Sequence, residues 1–228
     1  MSKNIQIITI DGPAGAGKST VAKRLAARLH FAYLDTGAMY RSLTLKALRR
    51  KINLGDESEL VSLARETTID LQDSTEGLKV FLDGEDVSKE IRTLEVTNNT
   101  FYIARASGVR EMMVEWQRQI ASKKSVVVEG RDAGTVIFPQ APFKFYLDAD
   151  VQERARRRIE ELRAKGEKVD EAKLLEEVKE RDQKDFTRKV GPLKKASDSI
   201  TVDSTKLSIE QTVEEMFKRT KINRDSSQ

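Results

Sequence analysis

The clearest chemistry in this 228-residue chain lies in residues 12–20. The run "GPAGAGKST" has the spacing G-x-x-x-x-G-K-[ST] and follows the β-branched stretch Ile5–Ile10. Glycines let the backbone curl so that successive N–H groups point at phosphate oxygens, and the helix that begins there adds its positive dipole end. We therefore expect a nucleoside triphosphate here, with Lys18 between the β- and γ-phosphates and the Ser19 hydroxyl on Mg²⁺.

Arginines recur in short settings that suit a transferring phosphoryl group. The candidates are Arg41, Arg110, Arg131 with Asp132, the cluster Arg154, Arg157 and Arg158, and the set Arg181, Asp185 and Arg188. Arg131 and Asp132 follow the strand pattern Val126–Val128, and the carboxyl ends of strands are where α/β folds place their sites. The last set is spaced i, i+4 and i+7 and shares one helix face. That spacing also suits solvated ion pairs, so by itself it leaves both interpretations open.

The elements that must position these residues alternate between strand and helix patterns. Strand patterns lie at 5–10, 31–34, 125–128, 143–147 and 200–202, and helical patterns at 18–29, 38–50, 57–66, 109–122, 151–164, 173–185 and 209–219. This alternation predicts an α/β fold with a parallel sheet flanked by helices. Residues 68–71 and 78–82 instead predict a small antiparallel hairpin, which interrupts the alternation as an insertion.

Composition narrows the class of protein. The formal net charge is +4, from 41 basic and 37 acidic residues, and the charged stretch 150–195 interleaves both signs. We therefore expect no nucleic-acid partner. No apolar segment is long enough for a bilayer, no secretory signal precedes the first strand pattern, and there are no cysteines, so we expect a cytoplasmic protein without membrane contacts. A guanine-reading N-K-x-D element is absent, and a mechanical ATPase is usually larger, which leaves a small kinase.

At this point the sequence resembles the bacterial cytidylate (CMP) kinases, a family of P-loop nucleoside monophosphate kinases. The motifs that carry the resemblance are, in order, "ITIDGPAGAGKST", "LDTGAMYR", "GEDVSKEIRTLEV", "EGRDAGTVIFP", "FYLDAD", "ERDQKDFTR" and "DSTKLSIEQ". The resemblance extends from Ile7 to about Phe217, and the motifs in this order are far more specific than the phosphate loop alone.

The resemblance implies a role for each candidate residue. ATP would be bound by Gly12, Pro13, Ala14, Gly15, Ala16, Gly17, Lys18, Ser19, Thr20, Arg154, Arg157 and Arg158. CMP would be bound by Thr36, Arg41, Arg110, Arg131, Asp132, Arg181, Asp185 and Arg188. Within the second set, Arg41, Arg131 and Arg181 would hold the phosphate, Asp185 the sugar hydroxyl, and the others the cytosine. Lys18, Arg131 and Arg158 would be the catalytic residues, and Ser19 the protein ligand to Mg²⁺.

The sequence departs from the family at one place. After "EVTNN", where the family can place a small hydroxyl residue near the base, it has Thr100-Phe101. Either Thr100 makes that contact or the contact is absent.

The expected fold is that of the P-loop NTPases, with a parallel five-stranded sheet in a single kinase domain. The core would comprise residues 4–36, 111–153 and 169–220, the monophosphate-binding insert 37–110, a short lid 154–168, and a frayed tail 221–228. The expected reaction transfers the γ-phosphoryl group of ATP to CMP or dCMP in a monomer. The alternatives are a UMP/CMP or other small-acceptor kinase and, outside this class, a nucleic-acid-binding ATPase.

Overall fold

The computed structural model describes residues 5–74, 77–164 and 166–220. The expected tail at 221–228 lies outside them. The described residues form two compact units. We call residues 32–126 the insert unit, and residues 6–31 with the described residues of 127–220 the P-loop unit.

The described part of the chain contains eight strands and eight α-helices. The strands are β1 (Ile7–Asp11), β2 (Ala32–Asp35), β3 (Ile69–Ser74), β4 (Gly77–Leu82), β5 (Glu85–Asp86), β6 (Val126–Gly130), β7 (Phe143–Asp148) and β8 (Ile200–Asp203). The helices are α1 (Lys18–Leu29), α2 (Thr36–Arg49), α3 (Glu57–Arg65), α4 (Leu94–Arg105), α5 (Ser107–Ala121), α6 (Val151–Ala164), α7 (Glu171–Thr187) and α8 (Ile209–Thr220). Short 3₁₀ and π turns span Glu90–Arg92 and Ala133–Ile137.

Five strands form the central sheet in the order β2-β6-β1-β7-β8. Strand β1 runs parallel to β7, with Ile8 opposite Phe143, and β7 runs parallel to β8, with Phe145 opposite Ile200. Ile8, Ile10 and the three valines of β6 are buried, as expected when helices cover both faces of a parallel sheet. The predicted α/β class with a parallel five-stranded sheet is confirmed.

The insert unit contains the predicted hairpin. β3 and β4 pair antiparallel, and β5 adds a short third strand. Val80, Leu82 and Val87 of this sheet region pack into one buried cluster with Ala38 and Leu45 of α2. Burial of these side chains anchors α2, which carries two of the predicted site residues.

Helix α4 was not predicted from the sequence. Its middle, "TNNT", has weak helix propensity, and the Thr93 side chain caps it by accepting from the Val96 N–H. Val96 and Ile103 are buried, so tertiary packing outweighs the poor local propensity. The first part of the expected lid 154–168 lies in α6, which ends at Ala164. The boundaries of the lid and of the insert stay predictions.

Candidate nucleotide-binding site

The phosphate loop lies between the end of β1 at Asp11 and the start of α1 at Lys18. Gly12, Gly15 and Gly17 have φ values of 153°, 79° and 90°, which residues with a Cβ rarely adopt. A Cβ added to Gly12 would lie 2.0 Å from the Leu147 carbonyl oxygen. Strand β7 therefore admits only glycine at this position, and the loop backbone is free to present its N–H groups.

Lys18 is buried, and its Nζ donates to the Pro13 carbonyl oxygen at 2.7 Å. Burial, reinforced by the positive charge of Arg131, lowers the pKa of Lys18 to about 7, against the opposing effect of Glu129 and Asp185. An anionic phosphate beside the ammonium would offset this cost. Lys18 is thus prepared for a negatively charged ligand.

The first turn of α1 contains Ser19, the residue expected to bind Mg²⁺. No cluster of three or more His, Cys, Asp or Glu side chains suited to a metal occurs among the described residues. Mg²⁺ in nucleotide sites needs few protein ligands, because water and the substrate phosphates supply the rest. Ser19 is exposed directly after Lys18 and offers a hydroxyl oxygen, a hard donor. These residues fit a metal that arrives with the nucleotide.

Two ion pairs hold the residues that follow β6. Arg131 Nε donates to Asp185 Oδ2 at 2.7 Å, and Arg188 Nη2 lies 3.6 Å from Asp132 Oδ1. Burial acts to raise the pKa of Asp185, but Arg131, Arg181 and Arg188 hold that pKa below its ordinary value. Within the P-loop unit, the structure thus brings the end of β6 together with the C-terminal part of α7.

The three arginines of α6 have different surroundings. Arg154 is buried, donates to the Ala14 and Ala149 carbonyl oxygens at 3.0 and 2.9 Å, and pairs with Asp182 at 2.7 Å. It therefore ties α6 to the phosphate loop itself. The next arginine, Arg157, donates to the Ser204 carbonyl oxygen at 2.6 Å.

Arg158 makes a more superficial contact than its two neighbours, a 2.7 Å pair with Glu161. A surface pair of this kind breaks at little cost, so the Glu161 contact does not fix the position of the Arg158 guanidinium. Direct contacts of Arg154, Arg157 and Arg158 with ATP stay a prediction.

The remaining predicted residues lie in the insert unit. Asp35 caps α2 by accepting from the Ala38 N–H at 2.8 Å, and its other oxygen accepts from Arg41 at 3.0 Å. Nε of Arg41 is buried and has no hydrogen-bond partner among the described residues. Thr36 is buried at the start of α2. A buried, unsatisfied guanidinium donor suits an anionic ligand oxygen.

Arg110 of α5 is buried within the insert unit. It donates to the Tyr40 hydroxyl at 3.2 Å and to the Ala104 carbonyl at 3.4 Å, and its guanidinium lies 5.7 Å from the Tyr40 ring centroid. Thr100, at the position where the sequence departs from the family, donates to the Val96 carbonyl at 2.7 Å. Its hydroxyl proton is therefore used within α4.

Sequence reasoning missed the acidic residues that orient these arginines, Asp35 and Asp182, and also Asp11. The last accepts hydrogen bonds from the Ala133 and Gly134 N–H groups. The sequence does contain a signal for Asp11, since a carboxylate at the end of a buried strand requires hydrogen-bond partners.

Together with the parallel sheet, the glycine-bounded loop and its buried lysine define a P-loop phosphotransferase. The model of the cytidylate kinase family matches residues 8–222, and the chain belongs to that family. No helix in the described ranges is long and apolar enough to cross a bilayer.

Three curated relatives illustrate the similarity. A cytidylate kinase of Caldanaerobacter subterraneus subsp. tengcongensis is 50% identical over 95% of both chains. One of Desulforamulus reducens is 51% identical over 90% of this chain and 92% of the relative. A third, of Geobacillus sp., is 50% identical over 95% and 96%.

Proposed function

We propose that this chain is a cytidylate kinase that transfers the γ-phosphoryl group of ATP to CMP or dCMP, giving ADP and CDP or dCDP. The observation that carries the proposal is the family match over residues 8–222, with relatives of that name about 50% identical. The phosphate loop and the arginine-carboxylate pairs of the P-loop unit supply the physical support.

Phosphoryl transfer passes through a loose transition state in which charge spreads over the transferring oxygens. The protein contributes positioning and positive charge instead of a covalent intermediate. Lys18, Arg131 and Arg158 are proposed to contact the reacting phosphates. Arg154 and Arg157 are proposed to line ATP. Arg154 holds α6 against the phosphate loop through the Ala14 carbonyl oxygen, and Arg157 bonds the Ser204 carbonyl oxygen after β8.

Ser19 is the proposed protein ligand to Mg²⁺, and a bound Mg²⁺ would supply positive charge that offsets the charge of the ATP phosphates. The loop residues from Gly12 to Thr20 are proposed to surround the phosphates of ATP, with N–H groups donated by every residue of the loop except Pro13. Closure of a lid at 154–168 would exclude water that otherwise hydrolyses ATP.

The proposed acceptor contacts follow from hydrogen-bonding patterns. Cytosine presents a 4-amino donor beside the acceptors N3 and O2, whereas uracil presents an O4 acceptor and an N3–H donor. An ionised Asp132 only accepts, and Arg110 and Arg188 only donate, so the set matches cytosine. Thr36 is proposed to lie near the base as well.

The other acceptor contacts concern the phosphate and the sugar. Arg41, Arg131 and Arg181 are proposed to bind the CMP phosphate, and Asp185 the sugar hydroxyl. The 2.7 Å ion pair between Arg131 and Asp185 supports this assignment, because it holds the proposed phosphate-binding residue beside the proposed sugar-binding residue. We also propose a cytoplasmic monomer without nucleic-acid partners.

The test is a steady-state comparison of CMP, dCMP, UMP and AMP as acceptors with ATP and Mg²⁺. A buried site matched to one pattern of donors discriminates by about 10⁴-fold against the other, so CMP and dCMP should lead UMP by that order in kcat/KM. Equal use of UMP would favour a UMP/CMP kinase. ATP hydrolysis that needs RNA or DNA and no monophosphate would favour a nucleic-acid-dependent ATPase.

A further inference from the structure

Asp11, the last residue of β1, is a buried carboxylate to which the proposed reaction assigns no substrate. Its side chain accepts two hydrogen bonds, from the Ala133 N–H to Oδ1 at 2.8 Å and from the Gly134 N–H to Oδ2 at 2.7 Å. Hydrogen bonds from N–H groups to a carboxylate are about twice as strong as those between neutral groups. Asp11 thus joins β1 to the turn that follows β6.

This turn directly follows Arg131 and Asp132. The Asp132 backbone, at φ −144° and ψ 24°, is neither helical nor extended, and a π-helical turn begins at Ala133. Such turns are rare and occur often at functional sites. Hydrogen bonds from the Val136 and Ile137 N–H groups to the Asp132 carbonyl oxygen close the turn from within. Asp11 binds the first two N–H groups of the turn from outside.

Gly134 shows how closely the turn packs on β1. A Cβ added there would lie 2.8 Å from Thr9 Oγ1 and 3.3 Å from Asp11 Oδ2. Thr9 Oγ1 is itself buried and has no hydrogen-bond partner among the described residues. Thr9 and Asp11 are the two polar side chains of β1 that face the turn, and of these only Asp11 forms hydrogen bonds with it.

Holding this carboxylate ionised costs stability. Burial raises the pKa of Asp11 to about 6, against the lowering effect of the two N–H bonds; Asp132 raises it further and Lys18 lowers it. At neutral pH the carboxylate is nevertheless ionised and accepts both bonds. Two charged groups that shift the pKa of Asp11 are thus Asp132, which raises it, and Lys18 of α1, which lowers it.

We propose that Asp11 is a positioning residue for the acceptor nucleotide: by fixing the turn after β6 it orients Arg131 and Asp132, and so sets the discrimination between CMP and UMP. This inference rests on the proposed function. It assigns Asp11 no contact with either substrate.

The test is Asp11→Asn, which keeps the size of the side chain but turns an NH₂ group toward one of the two N–H groups. Losing a hydrogen bond to a charged group should lower kcat/KM for CMP about ten- to hundredfold. UMP activity should fall less, so the CMP/UMP ratio should shrink. The Kd for ATP, measured without acceptor, should stay within about twofold, the usual error of additivity.

Thr9→Val is the matched control, because it alters the same strand beside the same glycine without removing a hydrogen bond. It should leave kcat/KM and the CMP/UMP ratio unchanged. Gly134→Ala disturbs the packing between β1 and the turn from the side of the turn. It should reduce the CMP/UMP ratio as Asp11→Asn does, without changing the affinity for ATP. Adding Thr9→Ala removes the hydroxyl that the new methyl group meets and should restore part of the ratio.

The outcomes separate the two proposals. If the wild-type enzyme does not phosphorylate CMP, the proposed function fails. If it does, an unchanged CMP/UMP ratio in Asp11→Asn overturns the inference about Asp11, as does a parallel loss of ATP and CMP binding. If Asp11→Asn does not fold, Gly134→Ala provides the test instead. An unchanged CMP/UMP ratio in Gly134→Ala would also overturn the inference about Asp11.

Discussion

Affinity for ATP should fall as the pH rises above 7, because of the environment of Lys18. Burial and Arg131 lower the pKa of this lysine to about 7, so it is half protonated at neutral pH in the free protein. A bound triphosphate favours the ammonium form, and binding must then take up a proton that is less available at higher pH. The affinity for ATP therefore decreases, and the Kd for ATP increases, as the pH rises.

The magnitude follows from the pKa. With a pKa of about 7, the protonated fraction drops from about one half at pH 7 to about 3% at pH 8.5, so the Kd for ATP should rise about 16-fold. The phosphates of ATP do not contribute to this change, because the second pKa of a phosphate is near 6. Isothermal titration calorimetry from pH 7 to 8.5 measures this Kd, and buffers of different ionisation enthalpy report the proton uptake.

Lys18→Met is the control, since methionine is unbranched and never charged. Its Kd should be flat over this range, and the wild-type curve should approach it at high pH. A flat wild-type curve, or an equal slope in Lys18→Met, would refute the assignment of a depressed pKa to Lys18.

Three further predictions concern catalysis and closure. Lys18→Ala should lower kcat about a hundredfold, the scale for losing one preorganised electrostatic donor, whereas a raised KM for ATP alone would argue against a transition-state role. Hydrogen exchange over residues 150–170 should slow when both nucleotides bind, measured by mass spectrometry, and equal protection in both states would contradict a lid. Asp132→Ala should narrow the CMP/UMP ratio mainly by losing CMP activity, with the KM for ATP nearly unchanged; a preserved ratio would exclude Asp132 from base recognition.

Much of the fold was predictable because its signals are local. The phosphate loop needs only its glycine spacing after an apolar strand, and α1 begins at Lys18 as the pattern predicted. The hairpin was visible from two β-rich runs and the turn residues between and after them. Helix α4 escaped prediction because burial of Val96 and Ile103, a property of the folded chain, stabilises a segment with weak propensity.

The candidate site likewise has features that the sequence indicated and features that only the tertiary structure determined. Sequence alone indicated the arginines of the site and the carboxylates Asp132 and Asp185, because their motifs are contiguous, but it missed Asp11, Asp35 and Asp182. Only the tertiary structure decided their partners: Arg154 bonds the phosphate loop and Asp182, and Asp11 bonds a turn 122 residues away. Such pairings depend on which strand ends and helix faces meet, and on how burial strengthens or penalises each charge. Residue spacing along the chain carries no record of either.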